Sequence, residues 1–176
     1  VLGLHNVSNA LAALALSALF VSSNEMAVNG LMKYSGLDHR MQMVADVNGV
    51  RFFNDSKATN VGATLAAISG LSEVAILILG GQSKQQNFET LTEVILQKIR
   101  TVILIGQDAL IIKAAIEGTG VPVIEASSMA DAVHLSADIA ERDDLVLLSP
   151  ACASFDMFDD YIHRGDVFME AVRSLI

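Results

Sequence analysis

The sequence holds a single cysteine, Cys152, in 176 residues, which excludes an internal disulfide framework and is compatible with a reducing compartment. Cations are scarce too: 11 lysines and arginines against 20 carboxylates give a net charge of -9, and no cluster of cations forms anywhere. Such a chain lacks the electrostatic footprint for nucleic acid or an anionic membrane surface. Any anionic ligand must be met by a few individually placed cations. Long apolar runs are missing as well. The longest, from Ala10 to Val21, is too short to cross a bilayer and lacks the basic flank of a signal peptide, so it reads as a buried helix. Neither GxGxxG nor GxxxxGK[ST] occurs, and no Cys/His cluster has metal-ligand spacing. A function involving ATP or a metal ion would draw most of its apparatus from outside these residues. The chain opens on Val1 and enters a helix almost at once, which suggests a piece of something longer.

What is present is a core. A composition of 52% hydrophobic and 18% charged residues suits one folded domain, or one domain with an attached piece. Helical patterns at roughly 7–21 and 25–34 come first, and Gly36 in "YSGLDHR" is expected to cap the second. "MQMVADVNGVRFFND" reads as a hairpin turning at Asn48-Gly49. Helices at 61–69, 88–98, 109–117 and 129–141 then alternate with strands at 74–81, 101–106, 121–126 and 144–150, and a last helix falls within 158–174. Short β-branched strands separated by helices imply right-handed crossovers and a parallel sheet covered on both faces. The expected fold class is α/β: a Rossmann-like, six-stranded, mostly parallel sheet over residues 37–176, with residues 1–36 as the last two helices of a truncated preceding domain.

Four loops fall at the carboxyl ends of predicted strands: "NDSKATN", "GGQSKQQNF", "GQDA" and "SPACASFDMFDDY". In a doubly wound sheet such loops converge on one edge. Lys57, Thr59, Lys84 and Ser154 then surround a small carboxylate-bearing ligand, the ammonium groups opposing its charge and the hydroxyls fixing its orientation. The plainer alternative makes the same residues helix N-caps and solvated loop charges. Asn6 and Asn9 share a helix face, where amides cap a helix or grip a polar ring edge such as adenine. Ser149, Cys152 and His163 offer a nucleophile and a base, but no orienting acid at motif spacing and no nucleophile elbow accompany them. Cys152, between alanines, reads as a packed small residue.

Taken in order, "GLHNVSNALAALAL", "GLDHRM", "NGVRFFNDSKATNVGATLAAI", "ILGGQSKQQNF" and "LLSPACASFDMFDDYIHRGDVF" cover nearly the whole chain. They closely resemble the C-terminal half of the Mur ligases, in the D-glutamate-adding branch. Other branches usually carry an Asp-Tyr-Ala-His-type segment where this chain has "NDSKATN". The resemblance implies an ATP-dependent ligase of peptidoglycan precursor synthesis in the bacterial cytoplasm. ATP phosphorylates the carboxylate of UDP-N-acetylmuramoyl-L-alanine, and the amino group of D-glutamate attacks the acyl phosphate. It also implies three domains, of which residues 37–176 are the last and 1–36 the end of the central ATPase domain. The P-loop, the Mg2+ ligands and a carbamylated lysine belong to the earlier part, so no catalytic or metal-binding residue is expected here and turnover by these residues alone is not. Carried over position by position, Asn6 and Asn9 face adenine, Arg40 reaches ATP phosphate and Asp55 accepts the ribose hydroxyls. Lys57, Thr59, Lys84, Ser154, Phe155 and Tyr161 contact D-glutamate, with Tyr161 where the family often has phenylalanine. UDP-N-acetylmuramoyl-L-alanine is met mainly by the other domains. Two alternatives are a non-catalytic nucleotide- or amino-acid-binding Rossmann module and a folylpolyglutamate-type ligase; the lysine in "NDSKATN" argues against the second.

Overall fold

The computed structural model describes residues 4–21 and 23–176, with side chains from Val7 onward. Two helices, α1 (Leu4–Ser17) and α2 (Asn24–Met32), precede the sheet. The first stops short of the expected Val21: Ser17 Oγ donates to Leu14 O at 3.0 Å, and residues 18–20 follow as turns. Ser23 caps α2 by accepting the Met26 N–H. Lys33 is its C-cap, so Gly36, at φ 100°, shapes the linker beyond the helix instead of ending it. The apolar run expected to be buried is largely exposed, with Leu11 at 62% and Leu16 at 66%, because α1 packs on α2 and little else.

The sheet has the order β1-β2-β6-β3-β4-β5, with β1 (Gln42–Val47), β2 (Val50–Asn54), β3 (Ala75–Gly80), β4 (Ile99–Ile105), β5 (Val123–Glu125) and β6 (Leu145–Leu148). Only the β1/β2 hairpin is antiparallel, turning through Asn48 and Gly49 at φ 55° and 88° as their sequence predicts. The central strands read as unbroken apolar runs because side chains on both faces are buried. Leu77, Leu79, Val102, Leu104, Leu145, Leu147 and Phe53 point into one core. Ile76, Ile78, Ile103, Ile105, Val146, Leu148 and Phe52 point into the other. The first core is covered by α3 (Val61–Ser69), α4 (Thr92–Lys98) and α5 (Ala109–Ile116), the second by α6 (Met129–Ile139) and α7 (Tyr161–Arg173). The helix expected at 88–98 is two pieces, a 3-10 turn at Phe88–Leu91 and then α4; Thr90 and Thr92 each donate a hydroxyl to the carbonyl three residues back, which favours the tighter turn.

This topology fixes where a ligand fits. Strand β6 is followed by α7 on one face, whereas its neighbours β2 and β3 are followed by α3 and by the 3-10 turn and α4 on the other. Where adjacent strands send their helices to opposite faces, a crevice opens at the carboxyl edge. It opens here around the end of β6. No helix among the described residues is long and apolar enough to cross a membrane.

Candidate functional site at the carboxyl edge of the sheet

Three loops meet at this crevice, and buried polar side chains knit them together. Gln82 and Ala153 pair as an isolated antiparallel bridge. The Gln86 amide nitrogen donates to Ser83 O and Ala151 O, both at 3.0 Å, while its oxygen accepts the Val61 N–H at 2.8 Å. Arg164 has no exposed surface. Its Nε and Nη2 donate to Ser56 Oγ and Ser56 O at 2.9 and 2.8 Å, and Nη1 donates to Cys152 O at 3.0 Å. Ser56 Oγ in turn donates to Tyr161 O at 2.7 Å. Burial pushes the guanidinium down to about 10, still far above neutral, so a cation is clamped by neutral acceptors between two loops of the site.

On this frame Lys57 and Tyr161 are in direct contact: the ammonium sits 3.8 Å from the centre of the ring, in cation–π geometry. No carboxylate among the described residues pairs with Lys57 or Lys84. Lys84 is exposed at φ 51°, two residues past the Gln82–Ala153 bridge, which brings its loop beside that of Ser154. Ser154 is buried, and its carbonyl accepts the Met157 and Phe158 N–H groups. Thr59 is half-buried and its N–H donates to Lys57 O, whereas Phe155 stands 66% exposed. Contact therefore joins Lys57 to Tyr161, a main-chain hydrogen bond joins Thr59 to Lys57, the bridge joins the loops of Lys84 and Ser154, and Phe155 stands out toward solvent beside Ser154. The helix α3 is capped by Asn60, which leaves Asp55, Ser56, Lys57 and Thr59 unneeded for capping.

Beside Lys57 lies a cleft of about 290 Å³, walled by Asn9, Tyr34, Arg40, Met41 and Asp55 and floored by alanines of α3. Asn9 lies within α1. The Asn6 side chain lies outside the described ones. Arg40 is exposed; its charge favours the ionised form of Asp55. Both Asp55 oxygens are engaged: Oδ1 accepts the Met41 N–H at 3.2 Å, and Oδ2 accepts the Ser149 hydroxyl at 2.9 Å. Burial pushes Asp55 up to about 6, against these hydrogen bonds and Arg40. A carboxylate offers about four lone-pair sites, so two protein donors leave room for an outside hydroxyl. An amide, a guanidinium and a carboxylate thus stand around a cleft floored by alanines, polar groups of three kinds beside an apolar surface. No group of three possible metal ligands occurs among the described residues.

Ser149, Cys152 and His163 are not assembled as nucleophile and base. Ser149 donates to Asp55, His163 pairs with Asp159, and burial pushes the Cys152 thiol up to about 12. Sequence reasoning missed Gln86 and the clamp role of Arg164. Arg164 carried a signal: it falls four residues before Phe168 on the buried stripe of α7 that continues to Ala171 and Val172.

These features define an open α/β domain whose candidate ligand loops gather at one sheet edge beside a cleft of about 290 Å³. The chain belongs to the Mur ligase family: residues 39–152 match the model of the "Mur ligase, glutamate ligase domain". It is 51% identical over 174 residues to a UDP-N-acetylmuramoylalanine–D-glutamate ligase of Thiobacillus denitrificans, covering 98% of this chain and 37% of that protein. The corresponding ligase of Cupriavidus metallidurans is 49% identical over 173 residues, covering 98% and 34%. The chain thus spans about a third of the length of the curated relatives it matches. Among solved structures, the UDP-N-acetylmuramate–alanine ligase of Thermotoga maritima aligns with a TM-score of 0.70 at 14% identity, over 99% of this chain and 39% of that one. A Mycobacterium tuberculosis folylpolyglutamate synthase complexed with ADP aligns with 0.72 at 16%, over 97% and 41%. At such identities the structural likeness speaks for the fold alone.

Proposed function

We propose that this chain is the C-terminal part of the ATP-dependent ligase that adds D-glutamate to UDP-N-acetylmuramoyl-L-alanine through an acyl phosphate, in the bacterial cytoplasm. Residues 37–176 form its amino-acid-holding domain and 1–36 the end of the preceding ATPase domain. Lys57 and Lys84 meet the carboxylates of D-glutamate; Thr59, Ser154, Phe155 and Tyr161 complete its seat. Asn6, Asn9, Arg40 and Asp55 hold the adenosine and phosphate side of ATP. When bound, ATP with Mg2+ supplies the phosphoryl group that activates the acceptor carboxylate; the P-loop and metal ligands come from the rest of the longer protein.

The observation that carries this reading is Lys57, an ammonium with no carboxylate partner among the described residues, which borders the cleft on one side and rests on the Tyr161 ring on the other. A cation already ordered by a ring loses less freedom on meeting an anion, and it holds the incoming amine in line with the activated carbonyl. In the longer ligase, replacing Lys57 or Lys84 by alanine is expected to remove a charge-assisted contact of about 1.5–3 kcal/mol, roughly tenfold to hundredfold in KM for D-glutamate. Phosphate release with D-glutamate varied at saturating ATP measures it. Unchanged KM and kcat in both variants would make the lysines solvated loop charges and overturn the assignment.

A further inference from the structure

Asn54, the last residue of β2, is fully buried and uses both ends of its amide. Oδ1 accepts the Ser56 N–H at 3.0 Å, and Nδ2 donates to Gly165 O at 3.3 Å while lying 3.0 Å from His39 Nδ1. Turning the amide over would set its NH2 against the Ser56 N–H and its oxygen against Gly165 O, like against like at both ends. The orientation is therefore fixed, and the group facing His39 Nδ1 is a donor. That nitrogen must be bare. The imidazole proton then resides on Nε2, which faces the Asp166 carboxylate at 3.8 Å and so gains a favourable field. The Tyr161 ring meets the imidazole edge-on at 6.1 Å. Glycine at 165 makes room for it: a Cβ there would fall 2.2 Å from His39 Nδ1 and 3.0 Å from Asn54 Nδ2.

We propose that Asn54 is a positioning residue that holds His39 as its neutral Nε2–H tautomer, and that His39 so held joins the nucleotide and amino-acid sides of the candidate site. The second half rests on the ligase reading above for what the two sides bind. His39 is buried in the left-handed region at φ 60°, a conformation a histidine keeps only when its surroundings hold it. Its carbonyl accepts the Lys57 N–H at 3.0 Å, its N–H donates to Gln42 Oε1 at 3.0 Å, and its chain neighbour is Arg40. The main chain that carries the imidazole is therefore tied to the residue on each side, to Lys57 by a hydrogen bond and to Arg40 by the peptide link, so that a displacement of the His39 backbone reaches both.

The test is made on this chain, labelled with 15N and free of ligand, by multiple-bond proton–nitrogen correlation of the histidine rings and by amide exchange. Expected are a bare Nδ1 and a protonated Nε2 for His39, with a slowly exchanging Lys57 amide. Asn54→Asp keeps an acceptor for the Ser56 N–H but presents an oxygen to Nδ1. The proton should then move onto Nδ1 and the Lys57 amide should exchange about tenfold or more faster, with Leu147 in β6 unchanged. Asn54→Leu removes the donor without supplying an acceptor and should leave a mixture of tautomers. A protonated Nδ1 or an averaged pair of ring nitrogens in the unaltered chain overturns the proposal, and this spectrum decides even if a variant does not fold. A changed tautomer with an unchanged Lys57 amide overturns the joining role. Because no substrate is present, either result leaves the lysine kinetics to judge the ligase reading separately.

Discussion

The two opening helices and the sheet domain draw on the same apolar residues and differ in what covers them. Every residue of β3 from Ala75 to Leu79 is fully buried, while Leu11, Leu16 and Met32 of α1 and α2 are 62%, 66% and 81% exposed. A central strand has neighbours on two edges and helices on two faces. A helical pair has only each other, and a second cleft, lined by Val7, Ala10, Ala13, Leu31 and Met32, stays open between them. Apolar content states how much surface must be covered, and topology decides whether the covering is at hand. The contrast supports assigning residues 1–36 to a preceding domain.

The sheet should break at its tightest point. Gly80 has φ 128°, and a Cβ there would fall 2.1 Å from Ile105 O, where backbone in β4 cannot yield. Gly80→Ala is expected to cost more than about 4 kcal/mol and to abolish cooperative urea unfolding, through a left-handed conformation and a backbone clash together. A variant that unfolds with the unaltered midpoint and slope would show that β3 and β4 do not approach as described.

Legibility in the sequence divides along the same line. Alternating strands and helices revealed the parallel sheet, because both-face burial writes an unbroken apolar run such as "AILILG". Asn48-Gly49 announced its hairpin through the conformation that its turn requires. The exposure of α1 was illegible, since a helix face meant for another surface carries the same residues as one that is already covered. Within the site, the loops were legible from their place after strands, and Lys57 and Tyr161 do meet. The clamp of Gln86 and Arg164 was not, because bonds such as Arg164 to Ser56 link residues 108 apart to backbone carbonyls that carry no sequence signature.

A smaller effect separates the buried wall of the cleft from its exposed rim. Desolvation raises Asp55 from 3.8 to about 6, so between these values the folded chain binds the extra proton and loses stability as pH rises. The wild-type chain should lose roughly 2–3 kcal/mol from this group between pH 4 and pH 7. Asn at this position still accepts the Met41 N–H and donates to Ser149 Oγ, with no charge to bury. Urea unfolding of Asp55→Asn against wild type should therefore coincide near pH 3.5 and diverge in the variant's favour toward pH 7. A constant difference across that range would mean that Asp55 is solvated and the cleft wall is looser than described.

The smallest effect belongs to the opening helices. Leu11→Gln and Leu16→Gln exchange exposed side chains for a good helix former, so each should change the stability of this chain by no more than about 0.5 kcal/mol. Leu77→Ala, in the middle of β3, should cost about 2–5 kcal/mol by leaving a cavity between the sheet and its covering helices. That gap alone would follow from exposure. What sharpens the comparison is repeating the helix variants in the longer ligase, where a covering layer should turn the near-silent changes into losses of about 1–3 kcal/mol per leucine. Equal and negligible effects in both settings would mean that these leucines face solvent there as well, and residues 1–36 would then have to be reassigned as an exposed connector.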